Sequence, residues 1–471
     1  MVRLNHLKER TALQKFAMLS GKTRLGNRPR TSAFLHLDRV LAFLFPLMAG
    51  VSPPSNMGIT ANFYLRAPNG TVISVLDLGI APLLIYVLLQ RIRTPKGETL
   101  WIYLSLVLVT LSRAISVLNS DLPEMCNIFS VLRYLEVLAI IHVAMVFSER
   151  PETRKALLMG LLLGVLIESV GATIVASSTG RCILLSHTQQ RFQAFLFIYC
   201  MLVQARGASK VVYWLCAVLI VIGMLASGTR SVFLIGLASL ALGLILLGQG
   251  STIARMALLL PVAACLVYAF PQSRALADSF VYRLKLLADY EGGGSTNQRL
   301  YLWSQAMALF LQKPLTGIGS GVFGRFEDLR FELPSWLNIR YSGEAGGLGT
   351  HSTFMGVLAE TGIIGIVAYS FWFLGIWKLF SKSLKVVRNG FNVPLVTALS
   401  TFILLSTVSD IVHVGSFENG HSLLVGVLIG LLREYDSKFN RMQTQPMFKN
   451  RIHYRVKPLG RMPSGQVSSR F

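Results

Sequence analysis

Along most of the chain, apolar residues continue for about 20 positions and then break at short basic or polar stretches. In a helix rising 1.5 Å per residue, about 20 apolar residues cross a hydrocarbon layer roughly 30 Å thick. The repetition of such runs predicts an all-α polytopic membrane protein. Twelve spans are expected, at about 33–52, 71–90, 100–118, 126–147, 156–177, 188–204, 211–227, 231–248, 254–270, 361–380, 394–412 and 419–433. The pattern fails over 271–350, a stretch of about 80 residues, longer than a tight connection and suited to helices of its own. Within it Leu300, Trp303, Met307, Phe310 and Leu311 recur at helical spacing behind the Ser295/Thr296 start signal. A helix from about 297 to 311 is expected, its apolar face against the membrane domain. The glycine-rich run Pro314–Gly321 follows and reads as a tight turn. It lacks the preceding strand and the lysine of a nucleotide-phosphate loop.

Composition agrees with this pattern. Of 471 residues, 53% are hydrophobic and only 14% charged, and mean hydropathy is +0.55; soluble domains carry about 25% charged residues. The net charge of +23 raises the possibility of nucleic-acid binding, but its distribution argues against that. Residues 1–39 hold nine Lys/Arg against Glu9 and Asp38, and residues 433–471 hold nine against Glu434 and Asp436, so the two ends carry 14 of the 23 charges. Basic ends flanking membrane spans are what cytoplasmic termini beside anionic lipid require. No nucleic-acid partner is expected; the bilayer is.

Charge also orients the spans. With the N-terminus inside, the short inner loops hold Arg91, Arg93, Lys96, Arg150, Arg154, Lys155, Arg206, Lys210, Arg255, Lys382, Lys385 and Arg388. The short outer loops hold only Arg66, Arg181, Arg191 and Arg230. Both tails, 1–32 and 434–471, then come out cytoplasmic and poorly ordered, and loop 271–350, between spans nine and ten, lies outside. Residues 33–433 form one transmembrane domain. The first apolar run, behind a long basic arm, reads as a retained span rather than a cleaved leader.

Five ionisable residues fall within spans: Asp77, Arg113, Arg133, Glu136 and Glu168. Buried charges in a bilayer face one another or a polar cavity. All five fall in the outer half, which points to a cavity open to that side; the competing reading is pairing, for instance Arg133–Glu136 at i,i+3. Arg230 begins a span among small residues, Ser227-Gly228-Thr229-Arg230-Ser231, where a bulky ligand can approach its guanidinium. A planar guanidinium suits phosphate; the alternative is snorkelling to headgroups.

Taken in order, SGTRSVFLIGLASLALGLILL (227–247), NQRLYLWSQAMALFLQKPLTGIGSGVF (297–323) and HSTFMGVLAETGIIG (351–365) resemble the O-antigen ligase/polymerase superfamily of bacterial membrane glycosyltransferases. The resemblance covers about 227–380; the N-terminal half is similar only as a set of spans. It implies metal-independent transfer, without a cofactor, of a glycan from undecaprenyl diphosphate to a lipid or glycan acceptor. That reaction would occur on the periplasmic face of the bacterial inner membrane. Arg230 and Arg299 match the family's diphosphate-holding arginines, and His351 matches the histidine that acts at the acceptor hydroxyl. The chemistry is coherent on its own terms. A departing diphosphate needs cationic stabilisation, which two arginines supply. A sugar hydroxyl needs a base that is neutral near pH 7, which histidine supplies. One direct displacement inverts the anomeric centre. Ligase and polymerase differ in acceptor, and the sequence barely decides between them; the ligase label follows the family's common name.

Other chemistries find less support. The first outer loop, Pro53–Gly70, has no Asp or Glu, unlike the acidic, often metal-binding loop of many lipid-phosphate glycosyltransferases. The nearest approach to a metal cluster, Asp410, His413, Glu418 and His421, has no defined ligand spacing and suits an acceptor entrance better. Glu360 is a candidate for orienting or gating. Cys200, Cys216 and Cys265 sit in apolar runs, and whether Cys126 and Cys182 pair is open. A glycolipid or solute transporter is the rival class, but related halves and a long central inner loop are missing.

Overall fold

The computed structural model describes residues 32–50, 65–66, 72–73, 75–90, 97–126, 128–179, 187–205, 211–227, 230–250, 278, 295–323, 350–411 and 419–444. Helices α1 (Ser32–Gly50), α2 (Val75–Gln90), α3 (Glu98–Leu118), α4 (Ile128–Ser148), α5 (Pro151–Thr179), α6 (His187–Ala205), α7 (Val211–Ser227) and α8 (Arg230–Leu246) come first. Then follow α9 (Ser295–Gln312), α10 (Thr353–Arg388), α11 (Val393–Ser409) and α12 (Asn419–Thr444). Helices thus coincide with every expected span but 254–270, which lies outside the described residues. Several ends differ from expectation, among them those of α10, which runs from Thr353 to Arg388 rather than over 361–380. β-branched Val72 and Ile73 pair antiparallel with Leu65–Arg66 in a two-residue ladder, so the second span begins later, at Val75. At the other end α12 continues to Thr444, because Glu434 is buried against Arg154 rather than released into a tail.

Four described helical stretches are long and apolar enough to cross a membrane: Thr99–Leu118, Ser130–Ser148, Pro151–Ile174 and Thr353–Arg388. Shorter apolar helices, among them Gln190–Val203 and Val393–Ser409, complete a polytopic helical bundle. Without a hydrophobic force between helices in lipid, close approach rests on small residues. Gly426 and Gly430, spaced as GxxxG on α12, lie on the α4 backbone: a Cβ at either would come within 2.5 Å of the Ile141 or Met145 carbonyl oxygen. Gly160 on α5 meets the Phe43 carbonyl of α1 in the same way. α8 runs beside α6 in parallel, with Gly236 at Ala194 and Gly243 at Leu202.

The helix expected at 297–311 is present as α9. Its buried face is rotated from the expected one: Leu302, Ala306 and Leu309 pack with Ile318, Val322, Phe323 and Ala359, while Leu311 is exposed. Trp303 lies at the edge of that face because its indole N–H donates to the Thr350 carbonyl at 3.0 Å. An indole must satisfy its polar atom when it leaves water, so it cannot sit in the apolar centre.

Candidate functional site

The geometry of the site begins at a break in α10. Gly362 has φ 63° and ψ −156° inside an otherwise helical run. A straight helix would bond the Ile363 and Ile364 amides to the Ala359 and Glu360 carbonyls. Here the glycine-rich turn takes all four groups. Ile318 N–H donates to the Ala359 carbonyl (3.0 Å) and Gly319 N–H to the Glu360 carbonyl (3.3 Å). The Ile363 and Ile364 amides donate to the carbonyls of Pro314 (2.9 Å) and Leu315 (3.3 Å). The two intrahelical bonds are replaced by four between segments, so these four peptide groups stay paired across the kink.

Glycine is required on both sides of this interlock. Gly317 has φ 67°, and a Cβ there would lie 2.3 Å from the Glu360 carbonyl carbon. A Cβ on Gly362 would lie 2.5 Å from the Leu315 oxygen. The tight turn expected after α9 is therefore real, and its docking partner is the kink.

Arg113 of α3 secures the interlock. Its Nη1 donates to Glu360 Oε2 and to Ser320 Oγ, each at 2.7 Å, and its guanidinium lies 4.7 Å from the Tyr134 ring centroid. The Ser320 hydroxyl meets that of Ser130 at 2.6 Å, and Ser116 donates to the Glu360 carbonyl. Glu360 is thus joined to the turn through Arg113. Of the five in-span ionisable residues, Arg113 is paired in this way, and Arg133 pairs with Glu136 at 3.1 Å, one turn along α4. Glu168 is buried; the Asp77 side chain lies outside the described residues.

The sequence candidates sit around this frame. Arg299 is half-buried on α9, one helical turn before Trp303 and on the same face. The Trp303–Thr350 bond brings that face to the residue preceding His351. His351 is half-buried and adopts φ 51°, a left-handed conformation held here by its neighbours. Thr350 Oγ1 donates to the Ser352 carbonyl at 2.6 Å, and the Ser352 hydroxyl accepts from the Met355 amide at 3.1 Å, capping α10. Ser352 Oγ also donates to the Ile411 carbonyl at 2.6 Å, and Thr353 N–H donates to the Asp410 carbonyl at 3.1 Å. Arg230 is the first residue of α8; its side chain lies outside the described residues. Its backbone is about one turn from the level of Arg191, given the Gly236–Ala194 and Gly243–Leu202 register.

Asp410 and His421, grouped in the sequence with His413 and Glu418, belong to a buried cluster whose arginine sequence reasoning missed. Arg191 Nη2 pairs with Asp410 Oδ1 at 3.3 Å, while Nη1 reaches Ser406 Oγ and, at 3.3 Å, His421 Nδ1. An arginine only donates, so Nδ1 accepts, and the imidazole proton sits on Nε2 facing Thr407 Oγ1 at 3.2 Å. Reading Arg191 as an outer-loop charge hid it: it lies in the second turn of α6, buried, opposite a carboxylate 219 positions away. Asp410 and His421 therefore serve Arg191; His413 and Glu418 lie outside the described residues. Among those described, no group of three or more His, Cys, Asp or Glu side chains is arranged for a metal, and Cys126, Cys200 and Cys216 are free thiols. Cys182 and Cys265 lie outside them.

Residues 215–370, a third of the chain, match the family model of O-antigen ligases, whose members are ligases and polymerases of glycan synthesis. The match bears out the resemblance read from the motifs between 227 and 380, and it contains Arg230, Arg299, His351 and both halves of the turn–kink interlock. No curated protein matches the chain.

Proposed function

We propose that the protein transfers a glycan from undecaprenyl diphosphate to a sugar hydroxyl at the periplasmic face of the inner membrane, as an O-antigen ligase. Arg230 and Arg299 hold the lipid diphosphate and neutralise the charge that builds on it as the anomeric C–O bond breaks. His351 takes the proton of the acceptor hydroxyl as that oxygen attacks, in one inverting displacement. No metal or cofactor enters the step. Both tails are cytoplasmic on this reading, and segment 271–350 lies on the periplasmic side.

The observation that carries the proposal is the tie between α9 and the residue before His351. Trp303 bonds the Thr350 carbonyl, so the arginine-bearing helix and the histidine turn form one unit inside the segment that matches the family. Reacting groups must be held to within about 1 Å, and loosening of that order costs about 10²-fold.

The test is surface-glycan analysis of a deletion strain complemented with His351→Ala, Arg299→Ala or Arg230→Ala at wild-type protein levels. Each variant is expected to lose glycan transfer by about 10²–10⁴-fold. Normal glycan from all three sinks the assignment. Accumulated long lipid-linked polymer with unmodified lipid A–core marks a ligase; loss of the polymer itself marks a polymerase.

A further inference from the structure

We infer that Arg191 is a positioning residue for His351, acting through the turn at Asp410–Ile411. This deepens the catalytic reading of His351 and rests on it. Arg191 grips the Asp410 carboxylate from α6, while its other terminal nitrogen takes Ser406 and His421. The main-chain carbonyls of the turn it grips are the acceptors for Ser352 Oγ and Thr353 N–H. His351 is thus flanked on its C-terminal side by two bonds whose acceptors are fixed by Arg191. On its N-terminal side stands Thr350, which Trp303 holds.

Burial supports a positioning role over simple stabilisation. The Arg191 and Asp410 side chains are 5% and 0% exposed. Burying an ion pair is a poor way to gain stability, because desolvation offsets most of the attraction, and an apolar pair of similar volume is often as stable. What an apolar pair lacks is directional hold. The guanidinium divides its two terminal nitrogens between Asp410 on one side and Ser406 and His421 on the other, and Thr407 meets the far side of that imidazole. Residue 351 needs such bracing, because its left-handed backbone relaxes unless its neighbours over-determine it. Arg191 also lies about one turn from the level of the Arg230 backbone, so the same side chain sets the histidine turn against the wall that carries the diphosphate arginine.

The experiment uses full-length protein in lipid nanodiscs, with undecaprenyl-diphosphate-linked glycan extracted from the host strain as donor at varied concentration. Arg191→Gln is expected to lower kcat about 10–100-fold while donor KM changes less than about threefold. Arg191→Lys restores part of kcat. Ser406→Ala removes one Arg191 partner at small packing cost, and it lowers kcat in the same sense if the glutamine variant does not accumulate. His351→Ala/Arg191→Gln is no slower than His351→Ala alone, because the arginine acts through the histidine. Arg154→Gln, at the opposite end of the bundle, loses thermal stability without loss of kcat per folded molecule. Wild-type kcat in Arg191→Gln or Ser406→Ala, or a fall confined to donor KM, overturns the inference. So does additivity in the double variant. Full activity of His351→Ala instead removes the catalytic reading beneath it, a result separable from the others.

Discussion

The two ends of the helical bundle bury arginines against carboxylates to a similar degree but use them differently. At the end opposite the kink, the partners join helix to helix. Asp38 of α1 accepts from Tyr86 of α2 (2.7 Å) and Arg150 (3.1 Å), Arg154 of α5 pairs with Glu434 of α12, and Lys382 of α10 with Asp436. At the kink end, Arg113 and Arg191 hold carboxylates on residues whose main chain anchors turns: Glu360 at the interlock and Asp410 at the bond to Thr353. One end is fastened so that helices stay together; the other so that irregular backbone keeps one shape. Irregular backbone at membrane depth survives only when protein satisfies it. The difference lies in what the arginine's partner holds next, which burial alone does not reveal.

The contrast can be broken most forcefully with the arginines. Arg113→Gln leaves the Glu360 carboxylate buried without its arginine and is expected to cost about 3–5 kcal/mol in unfolding of the purified protein, whereas Arg154→Gln costs less because Glu434 keeps Lys438 at 2.7 Å. Only Arg113→Gln also lowers glycan transfer per folded molecule, because the Glu360 carboxylate and Ser320 lose their common donor. Equal losses of transfer in both variants would erase the distinction between the ends. Glycines give a smaller and sharper test. Gly362 and Gly390 both have positive φ, but a Cβ at Gly390 meets nothing within 4 Å, whereas one at Gly362 strikes the Leu315 oxygen. Gly390→Ala should cost about 1 kcal/mol of conformational strain, and Gly362→Ala clearly more, since the turn must also move. Thermal melts of the two variants side by side check this. The smallest effects belong to ion pairs near the surface. Breaking Lys313–Asp121 at one end or Lys382–Asp436 at the other should change stability by about 0–1 kcal/mol, and less in high salt.

Much of this architecture was legible in the sequence because membrane spans are set by length and apolarity, which are local. α9 was legible for the same reason: Ser295/Thr296 and the spacing from Leu300 to Leu311 are local signals. Its buried face was not, because Trp303 counts as apolar in a pattern yet behaves as a hydrogen-bond donor in the fold. The kink was hidden differently. Glu360-Thr361-Gly362 reads as the entrance of a span, whereas α10 starts at Thr353 behind the Ser352 cap and already carries its break at Gly362. Arg191 shows the general limit. An arginine near a span end has many possible partners, and nothing within reach of α6 in sequence names Asp410. In the candidate site, residue types were readable from the motifs, while the turns that hold them are made by contacts from α3, α6 and α11.

The interlock between the glycine turn and the α10 kink also bears on how the chain assembles. Hydrocarbon penalises every open peptide group by several kcal/mol. A helix crossing the bilayer therefore closes its own bonds first. The groups at Ala359, Glu360, Ile363 and Ile364 find their main-chain partners on a segment about 40–50 residues upstream. An α10 that has not met this turn has every reason to run straight, with Ile363 bonded to Ala359. Its bent form is thus a product of docking rather than of insertion. Bending α10 is then an exchange of hydrogen bonds within one helix for hydrogen bonds to the turn, and it docks the C-terminal end of α9 on α10.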